Sequence, residues 1–254
     1  QQMITPIHYK ISYAQNYEDL ILAGLLRNVE SGFYVDVGAN HPELDSVTKI
    51  FYDRGWTGIN VEPNDLLFAL LCKDRVRDTN LKVGVASQSG VLNFRAYPSL
   101  EGLSTFSPQA MDNMAFARPE VKYVDTPLDV TSLREIFSKY RPEGEIHFLK
   151  IDVEGLELEV LLGNTWTRYR PWVLCIEEPH DTYDAIARRQ AISAWLQSWD
   201  YSKVFFDGIN NYFIATEHHH LWEDFSYSRD VILNGVRVNY IFINHISEIQ
   251  SLSK

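Results

Sequence analysis

The sequence predicts an α/β protein built on a doubly wound, mostly parallel sheet whose last strand is antiparallel. Three observations predict it. Four nearly continuous apolar runs each close on an acidic residue, as strands buried on both faces require. Amphipathic helical segments lie between those runs. The final two strand-like runs are joined by a turn short enough only for a hairpin.

In chain order, residues 15–27 read as an amphipathic helix anchored by Leu20, Leu22, Leu25 and Leu26. "FYVDVG" (33–38) is the first buried run. The helix after it places Val47, Ile50 and Phe51 on one face, with Asp45 as its expected N-cap. "TGINVEPN" (57–64) is the second run, followed by a helix from about Asn64 to Cys72. Residues 86–97 and 121–128 read as further strands. The stretch between them, 98–119, is weakly periodic and carries Pro, Ser and Met, and we expect a lid or acceptor loop there, or a plain connection. A helix over 131–140 precedes the third run, "IHFLKIDVEG" (146–155). A helix over 155–162 precedes the fourth, "WVLCIEEPH" (172–180), and another spans 183–199. "YSKVFFDGINNYFIAT" (201–216) reads as a hairpin around Asp207-Gly208-Ile209-Asn210. Beyond it, 236–243 reads as a last strand, with Trp222, Phe225 and Tyr227 as packing aromatics. The histidines of "EHHHLWEDF" (217–225) read as a solvated turn, since three adjacent side chains cannot converge on one ion.

A chain of 254 residues with 45% hydrophobic content fits one compact domain plus appendages. A formal net charge of −11 repels phosphate backbones, so nucleic acid is excluded as the expected partner. Two cysteines, Cys72 and Cys175, make no disulfide framework, and a reducing, cytoplasmic setting is expected. No apolar run has the length of a membrane span. The start "QQMITPIHYK" has no signal-peptide pattern and no initiator Met, and we expect a piece of something longer.

Ligands of open α/β sheets bind outside the carboxyl ends of the strands. Asp36, Asn40, Glu62, Asp152, Glu154, Glu177 and Glu178 all fall there. Any one of them could merely favour a helix dipole. Glu62 lies 24 residues after Gly38 (62 − 38), the spacing at which such folds place an acceptor for ribose hydroxyls. Gly38 allows close backbone approach, but Ala39, Asn40, His41 and Pro42 follow it where a pyrophosphate site needs more glycines. The turn therefore suits an adenosine ligand without a diphosphate. S-adenosyl-L-methionine meets that description, with its ribose on Glu62 and its amino-acid tail at Asp36 and the Gly38 turn.

The motifs "SYAQNYEDLIL" (12–22), "FYVDVGANHP" (33–42), "GWTGINVEPN" (55–64), "VASQSG" (85–90), "GLST" (102–105) and "FLKIDVEGLELEVLLG" (148–163) resemble those of the FkbM family of S-adenosylmethionine-dependent O-methyltransferases. The resemblance covers most of 12–216 and implies a Rossmann-like class I methyltransferase sheet. It implies a methyltransferase domain over 1–216, with 1–30 as an N-terminal helical cover and 217–254 as a C-terminal extension or linker. It implies cofactor contacts from Gln15, Glu18, Asp36, Gly38, Asn40 and Glu62, with Asp19 in the covering motif. Ser87 and Gln88 would sit at the adenine, although Gln88 stands where relatives often carry an acid. The family acts mainly on hydroxyls of sugars and glycosylated natural products. The acceptor implied is thus a sugar or glycan, in polysaccharide or natural-product biosynthesis, with a glycosyltransferase as attached or partner protein.

Methyl transfer to an alcohol calls for a base near the acceptor. Asp152 is the first candidate, followed by Glu154 and His180, with Glu178 a lesser one. A divalent cation such as magnesium could be held by Asp152, Glu178 and His180, in a cluster that also includes Glu154 and Glu177. Two other readings compete. A non-catalytic scaffold or recognition module in a glycan-assembly protein would keep the fold and show no turnover. A nicotinamide-dependent dehydrogenase would fit Glu62, but not the glycine-poor turn or the lack of a lysine four residues after Tyr52, Tyr123 or Tyr183.

Overall fold

The computed structural model describes residues 10–178, 185–223, 225–226 and 235–237. In chain order the strands are β1 (Lys10–Ser12), β2 (Phe33–Val37), β3 (Thr57–Val61), β4 (Thr79–Leu81), β5 (Gly84–Val85), β6 (Gly90–Ala96), β7 (Val124–Thr131), β8 (Phe148–Ile151), β9 (Val173–Glu177), β10 (Tyr201–Phe206), β11 (Asn210–Ala215) and β12 (Gly235–Arg237). The helices are α1 (Glu18–Leu25), α2 (Lys49–Asp53), α3 (Asp65–Asp74), α4 (Pro108–Ala117), α5 (Leu133–Tyr140), α6 (Glu157–Leu162), α7 (Ala185–Ser198) and α8 (His220–Glu223).

Seven strands form the main sheet in the order β10-β11-β9-β8-β2-β3-β4. The five from β9 to β4 are parallel, and β11 runs antiparallel to both β9 and β10. The fold is α/β with a mostly parallel mixed sheet. The four predicted apolar runs are β2, β3, β8 and β9, and the predicted hairpin is β10–β11. Their period of two sorts side chains onto two cores. Val35, Val37, Leu149, Ile151, Leu174 and Ile176 face a cluster completed by Leu133, Ile136 and Phe137 of α5, Val160 and Leu161 of α6, and Ile192 and Leu196 of α7. Tyr34, Phe148, Val173 and Cys175 face the other way, onto Leu20, Ile21, Leu22 and Leu25 of α1 and Ile50 and Phe51 of α2. Burial of such side chains contributes about 1.5–3 kcal/mol each.

Two local expectations change, and two strand expectations gain detail. Asp45 does not cap α2: it sits in the left-handed region at φ 54, and Thr48 holds the N-cap position without a side-chain bond. The stretch 98–119 is not a bare loop, because α4 occupies its second half. Ser107 accepts from the Ala110 N–H at 3.3 Å and Pro108 opens the helix, a start signal that weak apolar periodicity concealed. The strands near 86–97 and 121–128 do not join the main sheet. They are β6 and β7, antiparallel to each other, with β5 parallel to β7 in a separate three-stranded sheet. Finally, β12 pairs in parallel with β1, and the rest of the strand expected at 236–243 lies outside the described residues, as does Tyr227. In the histidine cluster, His218 stacks on Trp172 with ring centroids 4.2 Å apart, so it serves packing. Among the described residues no helix is long and apolar enough to cross a membrane.

Candidate active site

The carboxyl ends of β2, β3, β8 and β9 converge on one crevice, and backbone geometry shapes its floor. Gly38 leaves β2 at φ 80, and a Cβ there would fall 1.8 Å from the Asp152 carbonyl oxygen. The Gly38 and Ala39 N–H groups donate to Val61 O at 3.0 and 3.1 Å. Asn40 follows in the left-handed region at φ 54, which asparagine tolerates better than most residues. Its N–H donates to Glu62 Oε2 at 2.8 Å, while Glu62 Oε1 accepts from the Asn64 N–H at 2.8 Å. Glu62 therefore clasps the turn after β2 to the start of α3. Each carboxylate oxygen has two acceptor sites and uses one, so one on each remains for a ligand.

Beside Glu62 opens a cavity of about 600 Å³, counting its solvent-open part. Its enclosed part is narrow, about 60 Å³, below the roughly 300–1,000 Å³ of typical small-molecule sites. Val61, Leu67, Val83, Val85, Phe94 and Phe106 make its apolar wall, and Gly38, Asn40, Glu62, Asp152 and Glu154 its polar edge. A second chamber adjoins it, bounded by Gln15, Glu18, Asn40, Lys150, Asp152, Glu154, Glu177 and Asn210. A third lies under α4, lined by Gln109, Ala110, Met114, Glu154, Glu177, Glu178 and Arg188. Glu154 borders all three chambers. It is held at φ 53, an uncommon conformation for a glutamate, and its carbonyl accepts from Thr105 Oγ1 at 2.9 Å. Arg188 donates to Gly155 O at 3.0 Å and to Gln109 Oε1 at 2.7 Å, strapping α7 and α4 to this loop.

Charge concentrates where the chambers meet. The register that pairs Asp36 with Lys150, and Ile151 with Ile176, sets Asp152 beside Glu177. Among the described residues, Asp152, Glu154 and Glu177 bring one carboxylate oxygen each within 4.8 Å of one another. Burial and the neighbouring carboxylates push Glu154 and Glu177 up from their ordinary values, and Glu177 shares a hydrogen bond with Asp152. Lys150 is the cation of the group. Burial alone would lower its pKa, but Asp36, Asp152 and Glu177 together raise it.

Gly38, Asn40, Glu62, Asp152 and Glu154 line the first cavity together, and Gln15 and Glu18 line the second with Asn40, Asp152 and Glu154. Others fall elsewhere. Asp36 is buried behind the turn against Lys150 at 3.4 Å and does not line the cavity. Ser87 and Gln88 do not line it either, because the wall is made by Val83–Val85 before the chain turns away. The Ala86 N–H binds Thr131 O, and the Ser87 Cα packs near Gly163. Glu178 lines the third chamber and pairs with Arg189 at 2.8 Å, so it stands apart from the acidic trio. His180 lies outside the described residues. Sequence reasoning missed Lys150. The available signal was a lone lysine inside the apolar run "FLKI".

Burial also raises Glu18 and Glu62 from 4.5 to about 7, and Asp19 from 3.8 to about 6. Carboxyls raised in the folded state bind protons more tightly there than when unfolded. Their contribution is full below the unfolded value and lost as pH rises through the folded one. Stability should therefore fall between pH 5 and pH 8, by at most about 3 kcal/mol per fully shifted group. Thermal melts across that range should show the decline, and Glu18→Gln should flatten it. An identical slope in the variant would remove Glu18 from the explanation.

Comparison with known proteins adds two findings. Residues 36–220 match the model of a family described as the methyltransferase FkbM domain. The chain is also similar to a protein from Sordaria araneosa named Methyltransferase sdnD, at 25% identity over 189 residues, covering 65% of this chain and 71% of that protein.

Proposed function

This chain belongs to the methyltransferase FkbM domain family, and from that membership and the crevice geometry we propose that it is an S-adenosyl-L-methionine-dependent O-methyltransferase acting on a sugar hydroxyl. The reading places it in glycan, polysaccharide or glycosylated natural-product biosynthesis, in the cytoplasm, with a glycosyltransferase as attached or partner protein. It takes 1–216 as the methyltransferase domain and 217–254 as an extension. The strand order of the main sheet supports a Rossmann-like, doubly wound class I arrangement.

The observation that carries the reading is Glu62. Its carboxylate is fixed by two backbone N–H groups, keeps free acceptor sites, and faces an apolar slot. An acceptor-only group beside a slot fits a ribose diol beside a flat base, so the residues present suit an adenosine-type ligand. The bound cofactor supplies an electrophilic methyl group on a sulfonium. The protein's residues hold the nucleoside at Glu62 and Asn40, close the second chamber with Gln15 and Glu18, and admit the acceptor on the Glu154 side. Asp152 takes the hydroxyl proton. Burial and the neighbouring carboxylates push Glu177 up, and it shares a hydrogen bond with Asp152, whose charge the Lys150 ammonium at 3.3 Å favours. Among the described residues, Asp152, Glu154 and Glu177 are those that could hold a divalent cation. Lys150, 3.3 Å from Asp152, supplies positive charge there.

The test is calorimetry with S-adenosylhomocysteine on wild type and Glu62→Ala. Loss of charged hydrogen bonds should cost about 1.5–3 kcal/mol, roughly 10- to 150-fold in affinity. Wild-type affinity in Glu62→Ala would displace the site. Binding without methyl transfer to any sugar hydroxyl would favour the non-catalytic scaffold instead.

A further inference from the structure

We propose that Lys150 is a positioning residue that locks the Gly38 turn, where the cofactor's amino-acid tail would lie, to the acceptor-side carboxylates. The inference rests on the function proposed above and extends it to a residue that no motif reading singled out. Lys150 is the third residue of β8 and is only 6% exposed. Its ammonium donates to Gly38 O at 2.8 Å and lies 3.4 Å from Asp36 Oδ1 and 3.3 Å from Asp152 Oδ2. These partners belong to three segments: the body of β2, the turn that leaves it, and the end of β8.

The contact with Gly38 O distinguishes this from simple charge neutralisation. Gly38 C=O and Ala39 N–H are the two ends of one peptide unit. Lys150 holds the first, and Val61 O holds the second at 3.1 Å. The plane of that peptide is therefore fixed at both ends before a ligand arrives, which lowers the ordering cost of binding. The same ammonium holds Asp152, the candidate base, in place. A buried ion pair kept for packing alone could be replaced by apolar residues of similar volume at little cost. Replacing a positioning lysine in the same way would spare stability but weaken ligand binding.

That difference sets the experiment. Lys150→Met alone leaves Asp36 buried without its cation and should melt well below wild type. The paired variant, Asp36→Asn with Lys150→Met, removes both charges and should melt near wild type. Calorimetry with S-adenosylhomocysteine and with adenosine is then compared. Adenosine should bind the paired variant within about threefold of wild type, since the Glu62 slot is intact, whereas S-adenosylhomocysteine, whose tail reaches the Gly38 turn, should bind roughly tenfold more weakly or worse. Restored affinity for both, or a paired variant that does not fold, overturns the positioning role and leaves Lys150 a packing residue. If wild type binds neither probe, the functional reading falls together with it. If wild type binds and only the tenfold difference fails, this inference alone falls.

Discussion

Gly38→Ala is expected to lose S-adenosylhomocysteine binding altogether and to melt well below wild type. Two costs add. At φ 80 an L-residue pays roughly 1–2 kcal/mol for the left-handed conformation. The new methyl would also lie 1.8 Å from Asp152 O, on backbone that cannot swing aside. Relieving that overlap means parting the ends of β2 and β8, where overpacking typically costs about 1–3 kcal/mol. The displacement runs through the Asp152 N–H to Val37 O bond and through Lys150, so the turn and the candidate base move together. Gly208→Ala is the control. Gly208 has a positive φ of 101, but nothing lies within 4 Å of an added Cβ, so only the backbone cost applies. Calorimetry and thermal melts on both variants read the difference. Wild-type S-adenosylhomocysteine affinity in a folded Gly38→Ala protein would mean that the ligand does not use this turn.

Asp152→Asn is expected to lower the methyl-transfer rate by roughly 10²- to 10⁴-fold, the range assigned to a positioned general base. The substitution preserves shape and removes basicity and charge. Nucleoside affinity should change by no more than a few-fold, because Glu62 and Asn40 are untouched. The effect should therefore appear in turnover at saturating cofactor, and single-turnover transfer to a sugar acceptor measures it. Glu154→Gln provides the comparison, since Glu154 borders all three chambers without contacting Lys150 at ion-pair distance. A rate in Asp152→Asn within tenfold of wild type would move the base elsewhere, with Glu154 next in line.

Much of this was legible in the chain. The runs "FYVDV", "TGINV", "FLKI" and "VLCIE" are strands because unbroken apolar sequence can be satisfied only between two helical layers. The hairpin was legible because Asp207-Gly208 supplies the positive φ that a short turn demands. The place of Glu62 beside the cavity was legible from its spacing after Gly38, which a helix and a strand take up. Asp45 misled because its side chain has cap chemistry while its backbone lies in the left-handed region three residues too early. The helix α4 was hidden because it buries chiefly Met111, so it has almost no apolar stripe to read. Ser87 and Gln88 were assigned to a cavity that the chain leaves at Val85.

Local chemistry by itself determined the parallel core, the hairpin, and the acids at the strand ends, because these depend on residue period and on which side chains water rejects. Only the tertiary structure decided which of those acids meet. Strand register put Asp36 behind the site and Asp152 beside Glu177. It also turned Lys150, one cation within an apolar run, into the tie between the turn and the carboxylates. Pairing across strands depends on the relative shift of separate segments, more than a hundred residues apart for Asp36 and Lys150, and no period within either segment encodes that shift.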